Sequence, residues 1–172
     1  MKNLNDIKKV CVFDFDQTLM RTPLKQDGVE MWEEYYGEKY PSKSWWSESY
    51  SLDLDVYKDY IKPNKSIYFD YLTNIKKTDT WVIMLTHRLP KLKEEVNKVL
   101  NKFNIKFDDQ LFRRSYFLTK ADDLDEYIVK FKNLKEIEIW EDREKEINIF
   151  KDWAYKVEPW LNIDITINEI KL

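Results

Sequence analysis

One cysteine, one histidine and two glycines in 172 residues set the first limits on what this sequence can be. A lone Cys11 cannot close an intrachain disulfide, and one Cys with one His cannot build a metal cluster of the Cys/His type. Cys11 lies inside an apolar run, which reads as a buried small side chain in a reducing compartment, with no disulfide partner. Long apolar runs are missing as well. None approaches membrane-spanning length, and the polar stretch 1–9 lacks the apolar core of a signal peptide, so the expectation is a cytoplasmic protein with no membrane partner. Charge of one sign is not in excess: 29 basic against 32 acidic residues leave a net charge of -3. That balance excludes the global positive field of a nucleic-acid coat, though not a local basic groove. There is no internal repeat or low-complexity tract, and the scarcity of glycine beside abundant Lys, Asn and Ile reads as compositional bias without mechanistic content.

What is present is a globular composition, 43% apolar and 16% aromatic, in a chain of one domain's length, expected to span 1–172. The run 10–13 (Val-Cys-Val-Phe) reads as a buried strand that delivers Asp14 and Asp16 into a loop closed by Thr18. Strand side chains alternate, so two acids one residue apart share a focus only if the strand has ended there. Further on, apolar runs at 81–85, 115–118 and 137–140 alternate with helix-period stretches at 89–103, 121–131 and 144–153. The tail 163–167 alternates strictly, as a half-exposed edge strand does. This alternation predicts an α/β, three-layer αβα, Rossmann-like fold with a mostly parallel central sheet.

Residues 19–65 break that rhythm. They hold Pro23, Gly28, Gly37, Pro41 and Pro63 among many Trp and Tyr, and read as a small aromatic-rich insertion after the first strand, lying over the site. In a parallel sheet, ligands bind at the carboxyl ends of the strands near the switch in strand order. That rule selects Asp14 and Asp16 from the first strand, Thr86 from the second, and Glu141 and Asp142 from a later one.

Those residue types fit phosphoryl transfer through an enzyme carboxylate. Asp14 is the candidate nucleophile, and Asp16 the candidate acid that protonates the leaving oxygen and then deprotonates the hydrolytic water. Repulsion between Asp14 and an anionic phosphate calls for a hard cation. Mg²⁺, held by Asp14, the Asp16 backbone carbonyl and Asp142, suits oxygen ligands. Thr86 would hold a phosphoryl oxygen, and Lys120, at the start of a helix, would neutralise shared charge.

In order and context, Asp14-Phe15-Asp16-Gln17-Thr18, Thr86, Lys120 and Trp140-Glu141-Asp142-Arg143 resemble the four motifs of haloacid dehalogenase-like (HAD) phosphatases. Aspartate at position 16 favours a phosphatase over a dehalogenase. Arg21-Thr22-Pro23, Met31-Trp32, Trp45-Trp46, Leu85-Thr86-His87-Arg88 and Trp140-Glu141-Asp142-Arg143 further resemble the HAD domain called Swiss Army Knife RNA repair-like. There His87 replaces a Gly and Trp140 a Tyr. The final acid-acid-Arg is also similar to the phosphatase half of phage polynucleotide kinase/phosphatase. The resemblance implies a phosphoric monoester hydrolase acting on an RNA or DNA 3′-phosphate end; a nucleotide or small-metabolite phosphatase and a catalytically silent binding module are the alternatives.

Several side chains have two readings. Lys120 competes with Lys130 and Lys132, which lie later on the same helix and would snorkel to solvent. Arg88 and Arg143 are each candidates for a forked substrate contact, and Arg143 can instead pair with Glu141 or Glu144. Glu141 reads as a partner acting through water or behind the metal, rather than as a direct ligand. His87 reads as a substrate contact or packing residue. Trp32, Tyr35, Tyr36, Tyr40, Trp45, Trp46 and Tyr50 form either a stacking platform for bases or the core beneath the insertion.

Overall fold

A computed structural model describes residues 2–113 and 118–171. Five parallel strands form the central sheet in the order β5-β4-β1-β6-β7, with β1 Lys9–Phe13, β4 Thr80–Thr86, β5 Asp109–Phe112, β6 Glu136–Glu141 and β7 Asp164–Glu169. The chain runs outward from β1 to β4 and β5, then returns to β6 on the other side of β1. The switch point therefore falls at the carboxyl ends of β1, β4 and β6.

Alternation along β1 explains its unbroken apolar run. Cys11 and Phe13 enter one core with Val82 and Met84, while Val10 and Val12 enter the other with Ile83, Ile137 and Ile139. A strand covered on both faces has no polar side to show. The first core is closed by α3 Lys65–Ile75 and α4 Lys93–Lys102, through Ile67, Tyr71, Val96 and Val99. The second is closed by α5 Asp122–Lys130 and α6 Glu144–Leu161, through Leu124, Tyr127 and Phe150. Three layers result, as the pattern predicts. Cys11 is fully buried, and burial pushes its thiol up to about 12, so it is a packing residue with little thiolate character.

A strand and a helix end lie where no run or period marked them. Of the run expected as a strand at 115–118, residues 115–117 lie outside the described residues. A strand that the pattern did not mark, Asp109–Phe112, pairs Ile83 with Asp109 through Thr86 with Phe112. Its first half is polar because Asp109 is occupied by the Tyr127 hydroxyl, 2.9 Å away, which hides the strand from an apolar-run reading. Helix α6 continues past 153 to Leu161 and ends on Asn162 in the left-handed conformation (φ 51°). Its last turns leave Tyr155 and Trp160 exposed, so no apolar period marks them. β7 is the half-exposed edge strand expected. No described helix is long and apolar enough to cross a membrane.

Between β1 and α3 lies the aromatic-rich segment, bracketed by a two-stranded antiparallel pair, β2 Met20–Arg21 with β3 Lys62–Pro63. It contains α1 Lys25–Tyr36 and α2 Leu54–Tyr57. Most of its aromatic rings pack on one another: Trp32 against Tyr36, Tyr40 and Tyr50, and Trp45 against Tyr40 and Tyr57. Trp45 is 2% exposed and donates its indole N–H to the Pro23 carbonyl at 3.0 Å, which satisfies the polar edge of a buried ring. Gly28 makes this possible. A Cβ there would stand 2.2 Å from the Trp45 ring, so the helix can approach the indole only without a side chain. Gly28→Ala should therefore destabilise the fold by about 1–3 kcal/mol through overpacking. Urea unfolding checks this, and an unchanged midpoint would show that the indole moves aside freely.

Candidate active site

Asp14 follows the last residue of β1, and its backbone N–H donates to the Trp140 carbonyl at 3.1 Å, extending the β1–β6 ladder by one rung. Directly beneath, Phe13 and Trp140 stack with ring centroids 4.3 Å apart. Trp140 thus supplies a packing surface that props the two strand ends. The loop then turns tightly. The Leu19 and Met20 N–H groups return to the Asp14 and Phe15 carbonyls, and Gln17 takes a left-handed φ of 59°, an uncommon conformation for a side chain of this size.

Three carboxylates meet at this end of the sheet. Asp14, Glu141 and Asp142 each place one oxygen within 4.8 Å of the others, a spacing and donor set that can hold a hard divalent cation. Lys120 enters the same cluster: its ammonium donates to Asp14 Oδ1 at 2.5 Å and Glu141 Oε2 at 2.6 Å. Burial alone would lower the pKa of this lysine, but the two carboxylates outweigh it and hold it above the ordinary lysine value. Burial raises Asp14 well above the ordinary carboxyl value, against the pull of Lys120 and with the push of Glu141 and Asp16. Asp142 is pushed up to about 6, first by burial and then by Glu141. A divalent cation would reverse both shifts by supplying opposite charge.

The surrounding hydrogen bonds aim these groups. Glu141 Oε1 accepts the backbone N–H groups of Asp142 and Arg143 at 3.2 and 3.1 Å, leaving Oε2 for Lys120. Thr18 donates to Asp142 Oδ1 at 3.0 Å. Thr86, buried at the end of β4, accepts the Arg88 backbone N–H at 3.1 Å.

Asp16 is placed apart from the cluster. Its two oxygens accept the Arg88 fork, Nε to Oδ2 at 2.9 Å and Nη2 to Oδ1 at 2.8 Å, and Oδ1 also accepts Thr22 at 2.7 Å. The remaining Arg88 nitrogen donates to Ser51 Oγ at 2.5 Å. The guanidinium, 2% exposed, thus spends its bidentate face on the chain's own acid and not on an open anion site. Arg143 is exposed, lines the cavity and makes no ion pair among the described residues, so pairing with Glu141 or Glu144 is not observed. Lys130 instead lies over the Trp81 ring, 4.6 Å from its centroid, with its ammonium 3.8 Å from Asp109. His87 Nε2 stands 3.0 Å from Glu146 Oε1, and its half-buried ring also lines the cavity.

That cavity, about 460 Å³, is lined by Asp14, Asp16, Gln17, His87, Arg88, Arg113, Asp142 and Arg143 on the sheet side and by Leu24 and Trp46 from the aromatic-rich segment. Sequence reading did not single out Ser51, or Thr18 and Thr22 as orienting groups. The threonines had a signal, lying within or just after the first motif. Ser51 had none, because its contact with Arg88 joins residues 37 apart. The buried Glu146 was likewise read only as part of a helix.

No protein-family model matches the chain, and no curated protein does. Solved structures do share its fold. Two structures of an assembly described as the Pnkp1/Rnl/Hen1 complex and the Pnkp1/Rnl/Hen1 RNA repair complex superpose with TM-scores of 0.57 and 0.58 at 16% and 14% identity, covering 96% and 99% of this chain. A haloacid dehalogenase-like hydrolase from Streptococcus pneumoniae gives 0.52 at 13% identity, covering 95% of each chain. The HAD domain of the effector Lem4 from Legionella pneumophila gives 0.52 at 11%, over 96% of this chain and 87% of that one. The chain therefore has the HAD fold, with a carboxylate cluster capable of metal coordination where that fold places its strand ends. It spans only 47% and 44% of the two Pnkp1/Rnl/Hen1 chains it matches.

Two outcomes follow from the buried charges. Lys120→Met leaves Asp14 and Glu141 without their cation, and truncation of one partner in a buried pair costs about 3–5 kcal/mol. Urea unfolding at pH 7 without divalent ions should show a loss of that order, and added Mg²⁺ should recover part of it by binding the native state. A second concerns Glu146, whose pKa is lowered chiefly by the close approach of His87, whose Nε2 stands 3.0 Å away. A depressed folded-state value means a contribution complete above the unfolded carboxyl pKa of about 4.3 and lost as pH falls through the folded one. The stability difference between wild type and Glu146→Gln should be present at pH 6 and vanish toward pH 3; a pH-independent difference would assign Glu146 a packing role alone.

Proposed function

We propose that the protein is a Mg²⁺-dependent phosphomonoesterase acting through an aspartyl-phosphate on Asp14, with the 3′-phosphate end of a nucleic acid as substrate. The observation that carries this reading is the juxtaposition, at the switch point of a parallel sheet, of Asp14, Glu141 and Asp142 with a buried Lys120 bonded to two of them. Bound there, the cation would be held by Asp14 and Asp142, with the Asp16 carbonyl completing the set and Glu141 beside it, and would screen the negative charge that repels a phosphate from Asp14.

In this mechanism an Asp14 carboxylate oxygen attacks phosphorus and the phosphorus–oxygen ester bond breaks. Asp16 gives its proton to the departing oxygen. Water then attacks the acyl phosphate and returns a proton to Asp16, releasing inorganic phosphate and restoring Asp14. Lys120 neutralises charge shared by Asp14 and the phosphoryl group, and Thr86 and Arg143 hold phosphate oxygens. Arg88 and Thr22 orient the carboxylate that carries the proton. Residues 19–65 form the wall that selects the substrate.

The nucleic-acid assignment is supported by the motif resemblance and by a cavity of a size that accepts one nucleotide. An end-binding enzyme needs few phosphate contacts, so a net charge of -3 is compatible with it.

With an aryl phosphate and Mg²⁺, wild type should turn over and Asp14→Asn should lose about 10⁴-fold or more of kcat, as expected when a covalent nucleophile is removed. Equal turnover by both would overturn the mechanism. A 3′-phosphorylated oligonucleotide should exceed mononucleotides in kcat/KM; the reverse order would make this a nucleotide phosphatase.

A further inference from the structure

The cavity has two unlike walls. Its sheet side carries Asp14, Asp16, Asp142 and Arg143, whereas the aromatic-rich segment contributes Leu24 and Trp46, two apolar side chains 49% and 42% exposed. Neighbouring tryptophans in the same segment are consumed by packing: Trp32 and Trp45 are 6% and 2% exposed, each against several rings. Trp46 stacks on no ring among the described residues. Its aromatic partner is a cation, the Arg88 guanidinium, 5.1 Å from the ring centroid.

That cation is itself immobile. Arg88 is fixed by the Asp16 carboxylate, by Ser51 and by the Trp46 backbone carbonyl at 3.4 Å. The indole is therefore backed on one side before any ligand arrives, so a planar group laid on it has little side-chain motion left to freeze. Base–aromatic stacking needs a π-face presented in this way. A ligand that matches both walls at once has a phosphate group at one end and a flat, apolar group at the other.

We propose that Trp46 is a specificity-determining residue that stacks the terminal nucleobase of the substrate while the adjoining phosphate meets Asp14. The proposal rests on the phosphomonoesterase reading and names the part of the ligand that the aromatic-rich segment recognises. It narrows the expected seven-residue platform to one ring, since Trp32 and Trp45 are buried and Tyr35, Tyr36, Tyr40 and Tyr50 do not line this cavity. Arg88 then has two tasks, orienting Asp16 and backing the base platform.

The test compares two 3′-phosphorylated oligonucleotides, identical except that one ends in a normal nucleotide and the other in an abasic residue. Wild type should favour the base-bearing end by about 5–150-fold in kcat/KM, the range expected for one base stack, with most of the difference in KM. Trp46→Ala should bring the ratio toward one, and Trp46→Phe should restore most of it. A ratio near one in wild type, or one unchanged in Trp46→Ala, overturns the proposal. Turnover of a simple aryl phosphate, measured alongside, separates the cases: if wild type hydrolyses it and the ratio does not respond to Trp46, the stacking assignment fails and the phosphatase reading stands. If Phe at 46 behaves as Ala does, Trp46 acts by holding Arg88 and not as a stacking face.

Discussion

Lys120 stands 2.5 Å from Asp14 and 2.6 Å from Glu141, with none of the three side chains appreciably exposed, and three segments of the chain depend on that contact. Asp14 ends β1, Glu141 ends β6, and Lys120 precedes α5. Without the ammonium, two carboxylates removed from water would repel each other at the adjoining tips of neighbouring strands. A buried charge of this kind is tolerated only when paired and hydrogen-bonded. The chain meets both conditions, since Glu141 also takes two backbone N–H groups. The sheet can then carry acids at its switch point without losing the apolar strands beneath them, where Phe13 and Trp140 stack.

A second cation does for the aromatic-rich segment what Lys120 does for the sheet. Arg88 leaves the end of β4 and reaches Asp16 in the loop after β1, then Ser51 and Trp46. This joins three regions distant in sequence around one guanidinium, and planar fork geometry is what makes such a joint specific. The segment is thereby tied to the loop that would carry the proton in the proposed reaction. Its own interior is held differently, by ring-on-ring packing and by the close approach of Gly28 to Trp45.

These two modes of attachment decide how much could be read from sequence. Strands β1, β4 and β6 were legible because burial on both faces demands apolar runs, and the polar residues that end those runs mark the site. β5 was not legible because half of it is polar and satisfied by side-chain contacts. The last turns of α6 went unread because nothing covers Tyr155 or Trp160. Asp14, Asp142, Glu141, Thr86 and Lys120 were selected as strand-end or helix-start residues, and the structure brings them to one end of the sheet. Asp14 meets Lys120, the lysine expected to neutralise its charge. The partition of Asp16 to Arg88 was not legible, because it depends on distances between segments 72 residues apart, for which periodicity holds no information.

The same distinction separates chemistry from specificity. Asp14 adjoins and Glu141 ends a strand whose geometry is fixed by backbone pairing, so these carboxylates inherit the sheet's rigidity, and Lys120, from the turn before α5, is held by bonding to both. Leu24 and Trp46 belong to a segment whose fold is set by side-chain packing, which tolerates change in its exposed members more readily than a ladder of backbone hydrogen bonds does. A cavity assembled this way can keep its charged wall constant while the aromatic-rich one is altered. In the proposed reading the charged wall faces the phosphate, and the backed indole of Trp46 with Leu24 meets the flat group beside it.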